Sequence, residues 1–478
     1  MTRAASILTP AELERAAALV ARGLTAEQAA AAVRNGARPE GAEVDVVQEA
    51  DDAAPPLRLP RLPPEFWAAR PVLEHIRDAA WSRLRAPDAV LHAVMARVAA
   101  FRPPMMQVDT GIASPASLNL LCALVDPSGG GKSSAEKIAR QVLPAPPEME
   151  DADGLPIGSG EGIAEAYMGT VAQPRDDDPA KTEKVRKQVR YNVLAYVDEG
   201  QALARLAERS GSTLGETLRR AFNGETLGQS NASADRNRRV SHYSFGLVVG
   251  MQPEAALGLL ADAPYGTPQR FLWCSVVDPT IPDDPPPWPG TLRVRALERF
   301  EPLDIDPDIC AELRRQDLAR QRGELRRDPL DAHEPLVRVK LAAILALLDG
   351  RTHIGPEDWR LASVAWETSC AVRDALVTYG RALELRRERR ELRVHARRAV
   401  AADRAVERER ANVVRVAQTL ARRLLRHGSA TQNDLRRAVA SQDRRYLERA
   451  IAHALSLEWI VQDEAGRYWP GRYPTEAL

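Results

Sequence analysis

The chain has 478 residues, 44% of them hydrophobic, too long for one ordinary core, so roughly two to four units are expected. Lys and Arg number 66 against 66 Asp and Glu, so there is no global pull toward a polyanion, but residues 381–449 hold 20 Arg and no Lys against 9 acids, a local excess of +11. Cys122, Cys274, Cys310 and Cys370 are too far apart for a zinc site or a disulfide framework, and the histidines form no ligand cluster. No apolar run is long enough to span a bilayer and the N-terminus carries no leader pattern, so a reduced, cytoplasmic chain without a membrane partner is expected.

Residues 1–36 read as a small helical element, with Thr9 and Thr25 as caps. Residues 37–64, rich in Pro, Ala and acids, read as a linker. Between 66 and 103, Phe66, Trp67, Val72, Leu73, Ile76 and Ala80 recur at helical spacing, followed by Val90, Ala93, Val94 and Val98. Such stripes face a core, so this part is a helical lead-in to a sheet.

The apolar run 118–125 predicts a buried strand, followed by Ser128, Gly129, Gly130 and Gly131, then Lys132, Ser133 and Ser134 opening a helix. Glycines let the backbone curl so that its N–H groups converge, and the next helix points its positive end at the same place. Residues 128–134 are therefore the candidate nucleotide-binding segment, with Lys132 reaching the β- and γ-phosphates and Ser133 on Mg²⁺. The pattern G-x-x-x-x-G-K-[ST] is met except at Asp126, which stands in place of the first glycine.

Gly158–Gly162 (GSGEG) comes next, then a helix over 163–168 and a charged loop over 173–187. A second buried strand, 191–197, ends in Asp198 and Glu199. An acid pair at a strand end can be a simple cap. After a phosphate-binding turn it completes an ATPase site, with Asp198 on Mg²⁺ and Glu199 polarising water. A helix over 213–222 precedes a loop containing Arg236, Arg238 and Arg239, a candidate grip on a phosphate backbone. The strand 244–249 leads to Gln252, placed to sense a γ-phosphate or, alternatively, to bond a turn. Arg270 precedes the strand 271–277 and is a candidate arginine finger for a neighbouring copy, or a surface ion pair. Alternating strands and helices over 117–277 predict a mostly parallel sheet covered on both faces, so that 65–278, with its helical lead-in, reads as an α/β core. Ligands bind at the carboxyl ends of such strands, where Lys132, Glu161, Asp198 and Gln252 fall.

Six prolines within 279–289 mark a connector, 279–306. Residues 307–410 read as helical, with Trp359, Ala362, Trp366 and Cys370 facing a core and 386–410 forming a solvated helix. Residues 411–478 read as helices over 412–426, 432–440 and 442–457 and then a hairpin, the order of a winged helix, with Ser429–Thr431 and Ser441 as caps. Arg444, Arg445 and Arg449 on the third helix are residue types that contact bases and phosphates.

FWAARP at 66–71, ASPASLNL, PSGGGKS, GSGEG, VDEGQAL at 197–203, GMQPEA at 250–255, QRFLW at 269–273, HEPLVRVKLAAILALLDG and EDW at 357–359 together resemble the RecA-like ATPases of helicase and primase-helicase proteins from phages, plasmids and integrated elements. The resemblance covers roughly 66–376 and implies an oligomeric, ring-forming ATPase that moves on single-stranded or forked DNA, with ATP and Mg²⁺ as cofactors. Any priming activity would belong to a separate primase. In RecA-like helicases the catalytic Glu sits in a Ser-x-Glu setting similar to Glu161, whereas in AAA+ enzymes it adjoins the acid-pair Asp, here Glu199; both remain open. The rival expectations are a DNA-binding initiator or regulator switched by ATP, and a small-molecule phosphotransferase.

Overall fold

A computed structural model describes residues 57–127, 129–175, 181–201, 203, 213–228, 239–294 and 300–473. The expected N-terminal helices, Ser128, Arg236 and Arg238 lie outside the described residues. One compact unit spans Ala54–Leu383, and the other includes Glu384–Leu478.

The first unit is α/β. Three helices begin on prolines, which suit a first turn because the missing N–H has no intrahelical partner there: α1 (Pro64–Trp67), α2 (Pro71–Trp81) and α3 (Pro87–Phe101). The single helical stripe expected over 66–80 is thus broken before Pro71. The end of the expected linker is docked rather than loose. Leu62 is buried and donates its N–H to Asp88 (2.8 Å), and Arg61 pairs with Asp278.

A short pair, β1 (Gln107–Val108) and β2 (Ala116–Ser117), leads into β3 (Leu120–Val125), all of it buried. Then follow α4 (Lys132–Val142), β4 (Asp153–Leu155), α5 (Gly160–Glu165), β5 (Met168–Pro174), β6 (Thr182–Gln188), β7 (Asn192–Val197), α6 (Leu214–Asn223), β8 (Ser244–Met251), α7 (Pro253–Leu260) and β9 (Phe271–Ser275). The five-stranded sheet runs β4–β7–β8–β3–β9, every neighbouring pair parallel. Near-continuous apolar strands such as LLCALV and SFGLVVGM are what a parallel sheet buried on both faces requires.

Helix α3 is buried along its whole length and crosses β7, β8, β3 and β9. A Cβ on Gly246 would stand 2.1 Å from the Ala96 carbonyl oxygen, so glycine there is what lets α3 lie on β8. Arg97 of α3 forms a bidentate pair with Asp153 of β4 (2.8 and 2.9 Å), tying the edge strand to the covering helix.

The expected charged loop over 173–187 is instead an antiparallel ribbon, β5–β6, outside the five-stranded sheet. It was hidden because TEKVRKQ has one apolar residue and no alternation. The strand 244–249 extends two residues further, to Met251.

After the proline-rich segment come β10 (Asp304–Ile305), α8 (Pro307–Gln321), α9 (Glu334–Leu348), β11 (His353–Ile354) and α10 (Pro356–His427). The Ser369 hydroxyl accepts from the Trp273 N–H (2.8 Å), satisfying a backbone donor on edge strand β9.

In the second unit, α11 (Gln432–Ala438), α12 (Leu447–Ser456), β12 (Ile460–Gln462) and β13 (Tyr468–Pro470) join the end of α10 around a separate core that includes Val416, Leu420, Leu424, Leu435, Ile451 and Ile460. Thr431 and Asp434 form a reciprocal capping box at α11. Ser441 caps nothing: 441–446 is a 3₁₀ turn, and the third helix starts only at Leu447. Among the described residues no helix is long and apolar enough to cross a membrane.

Candidate functional site

The carboxyl ends of β3, β7 and β8 lie side by side, since Val125 pairs with Met251 and Val197 with Val249. From β3 the chain turns through 126–131 into α4. Gly129 and Gly131 hold φ of 87° and 97°, a region that favours glycine, and Gly131 is the N-cap of α4. Lys132, Ser133 and Ser134 are therefore the first three residues of α4, at its positive end. The Lys132 ammonium folds back over the turn and donates to the Asp126 and Pro127 carbonyls, both at 2.9 Å. Partial burial lowers its pKa, and Asp126 and Asp198 oppose that shift.

Asp126, the departure from the motif, has a structural counterpart. A Cβ on Gly130 would lie 1.2 Å from Asp126 Oδ2, so the carboxyl group occupies the space a side chain at 130 would need. The substitution at one position of the turn and the extra glycine at another are a matched pair. Burial raises the Asp126 pKa, and Lys132 opposes it.

The acid pair reaches the turn through two further glycines. A Cβ on Gly250 would meet the Asp198 carbonyl oxygen at 2.7 Å and the Lys132 side chain at 3.3 Å. A Cβ on Gly200 would meet Met251 Cγ at 2.5 Å. Side chains at these two positions would wedge Asp198 away from Lys132. The Tyr196 hydroxyl, on the same face of β7, donates to Asp198 Oδ1 at 2.7 Å. Glu199 is exposed next to Asp198. Gln252 is the N-cap residue of α7 and accepts from Gln201 Nε2 at 3.1 Å, which joins the segment after the acid pair to the end of β8.

Arg85 is a residue the sequence reading missed. A Cβ on Gly131 would lie 2.9 Å from Arg85 Nε, and that Nε is buried with no hydrogen-bond partner. Leu84 beside it has φ of 54°, a strained value for a leucine, and so turns Arg85 toward the loop. No local pattern in Leu84-Arg85-Ala86-Pro87 announces a contact made 46 residues downstream.

The other expected residues fall elsewhere. Glu161 is in the first turn of α5, and its carboxylate accepts from the Thr213 hydroxyl (3.0 Å) in a cleft bordered by Glu216, Thr217 and Arg220 of α6. Arg270 precedes β9, whose first residue pairs with Leu121 and whose last pairs with Val125. At about 3.3 Å per residue it sits roughly 17 Å from its own glycine-rich turn, at the opposite edge of the sheet. It donates to the Gly266 carbonyl, while burial and the nearby Arg219 pull its pKa down to about 10. Arg239 is exposed. In the second unit Arg444, Arg445 and Arg449 are exposed; Arg445 lies over the Tyr446 ring and Arg449 pairs with Glu409.

Among the described residues no group of three or more His, Cys, Asp or Glu could hold a metal by itself. One carboxylate and one hydroxyl, Asp198 and Ser133, are the donor set a hard cation shares with phosphates and water. No protein-family model matches the chain, and no curated protein matches it.

Proposed function

We propose that the chain is an ATP-hydrolysing phosphate-loop protein with a RecA-like core that works as an oligomeric motor on DNA. The observation that carries this reading is the convergence of Lys132, Asp198 and the start of α4 at the carboxyl edge of a parallel sheet, held close by glycines at 131, 200 and 250. The backbone of 129–133 and the end of α4 would receive the phosphates. Lys132 would exchange its two loop carbonyls for β- and γ-phosphate oxygens. Asp198, oriented by Tyr196, and Ser133 would hold Mg²⁺, which when bound neutralises charge on the triphosphate. Glu199 is the nearer in sequence to Asp198 and would orient water; Glu161 is the rival base. Gln252, tethered to Gln201, would report the γ-phosphate to the end of β8. Arg270 cannot reach its own turn, so any role at a nucleotide requires a neighbouring copy, as in a ring.

One observation favours a second reading, an ATP-switched DNA-binding initiator or regulator. The second unit has its own core, built from three helical segments and a hairpin in winged-helix order, and carries exposed Arg444, Arg445 and Arg449. ATP turnover by wild type and Lys132→Ala, with and without single-stranded DNA, separates the two. A motor gives DNA-stimulated turnover that Lys132→Ala removes. ATP binding without turnover in either condition would overturn the motor in favour of the switch.

A further inference from the structure

The β5–β6 ribbon has no part in the site above. It leaves the core after α5 and returns at β7, and only Met168 of its fourteen strand residues is buried. Isolated two-stranded ribbons are marginal in water. This one is anchored at its base: the Val189 and Arg190 N–H groups donate to the Tyr167 carbonyl (2.9 and 3.1 Å), and Arg186 pairs with Glu165.

The register of its charges is unusual. Lys187 stands opposite Gly169, Arg186 opposite Thr170 and Lys184 opposite Ala172. A ribbon built for its own stability places opposite charges across from each other. Here β6 carries three cations and one acid, Glu183, and its partner strand is uncharged; Ala172 opposite Lys184 is small, while the Val189 side chain covers Gly169 opposite Lys187. Lys184 and Lys187 have no ion pair among the described residues. They point to opposite faces: Lys184 shares its face with Arg186, and Lys187 shares its face with Glu183.

Lysines also guard exposed strand edges against pairing, but that role asks nothing of the ribbon's base. There Arg190 and Tyr191 follow β6, with Tyr191 49% exposed. The Ser241 N–H donates to Gln188 Oε1 (3.0 Å), which brings exposed Arg239 to the same place from a distant segment. A cationic strand continued by an exposed aromatic and two more arginines is the make-up of a surface that tracks a phosphate backbone and stacks a base.

We propose that β6 and the ribbon base, through Lys184, Lys187, Arg190, Tyr191 and Arg239, dock the phosphodiester backbone of a nucleic acid. This rests on the nucleic-acid part of the reading above and not on ATP hydrolysis. The base lies at the amino edge of the sheet, since Tyr191 precedes β7 and its carbonyl accepts from Ser244 N–H at the start of β8 (2.7 Å). That is the edge opposite the glycine-rich turn, so the two surfaces can be altered independently.

The test is fluorescence anisotropy of labelled single-stranded and duplex oligonucleotides with the full chain, titrated with salt. Lys184→Ala/Lys187→Ala is compared with Arg293→Ala/Arg360→Ala, which removes two exposed cations elsewhere on the same unit. The ribbon pair is expected to weaken binding about tenfold and to lower the salt slope by roughly 1.4 on a single strand, or 1.8 on a duplex, while the control pair does neither. Tyr191→Ala separates the two ligands, weakening the single strand alone if a base stacks there. Equal, small losses in both pairs would overturn the ribbon assignment and leave the nucleic-acid reading standing. A wild type that binds neither oligonucleotide would overturn both. Binding of a fluorescent ATP analogue, unchanged in every variant, shows that the fold is intact.

Discussion

Strand β3 has a lysine at each end, and each lysine donates to two backbone carbonyls. At the carboxyl end Lys132 holds Asp126 and Pro127. At the amino end Lys340, from α9, holds Asn119 and Phe222 and lies over the Phe222 ring. The bonds are alike and the surroundings are not. Lys132 is partly open to solvent among glycines. Lys340 is fully buried, and its pKa is pulled well down by burial, with Arg102 and Arg270 adding to the effect. Beside it Arg102 and the Phe245 N–H both donate to Asn119 Oδ1, while Asn119 donates to the Ala221 carbonyl, so the amino end is a closed polar network. A cation that can trade its carbonyls for phosphate oxygens serves a ligand. One sealed among strand, helix and ring serves the fold.

The largest expected effects test that division directly. Lys132→Ala should lower ATP turnover by about two to three orders of magnitude, the range for losing one preorganised charge at a reacting group, with the melting temperature unchanged. Lys340→Met should do the reverse. It orphans the buried Asn119 carbonyl, at about 1–3 kcal/mol, and leaves the Phe222 carbonyl only the long bond from the Ser117 hydroxyl (3.5 Å), so calorimetry should show a melting temperature several degrees lower while nucleotide affinity is retained.

A smaller effect comes from the turn between the two lysines. Gly130→Ala forces its new methyl group into the Asp126 carboxyl group and should weaken nucleotide binding about tenfold, a cost near 1.4 kcal/mol. Adding Asp126→Gly, which restores the glycine of the motif, should recover most of it. No recovery in the double variant would mean the two positions are not matched. Arg85→Ala should raise the ATP KM about threefold to tenfold with little change in kcat, the sign of a contact made equally to bound and reacting nucleotide.

The mildest effect is a pH dependence. Burial pushes the Asp88 carboxyl up to about 7 from 3.8, so across that window the folded chain keeps a proton the unfolded chain has released, and stability falls as pH rises. Burial pulls His92 and His333 down to about 4 from 6.5; there the unfolded chain binds the extra protons, and stability rises with pH. Asp88→Asn removes only the first contribution. Its melting temperature relative to wild type should therefore be higher above pH 7 than below pH 4; a constant difference would remove the assignment to Asp88.

Much of the core was legible because buried parallel strands are written as apolar runs: 118–125, 191–197, 244–249 and 271–277 each overlap a strand of the sheet. The glycine-rich turn, the acid pair and Gln252 were legible through their place after those runs. What escaped was long-range. The contact of Arg85 with Gly131 and the burial of Lys340 in α9 leave no mark on neighbouring residues. The β5–β6 ribbon escaped for a different reason, having no apolar face to alternate. The 3₁₀ turn at 441–446 was absorbed into a longer helix because its residues suit either form.

The central claim is that the turn between β3 and α4 holds a triphosphate. Equilibrium binding of a fluorescent ATP analogue, measured with Mg²⁺ on wild type, Lys132→Ala and Lys340→Met, tests it most directly. The account predicts saturable binding by wild type, similar binding by Lys340→Met, and a loss of tenfold or more in Lys132→Ala, about 1.4 kcal/mol or above. Equal affinity in wild type and Lys132→Ala, with both folded, would contradict it.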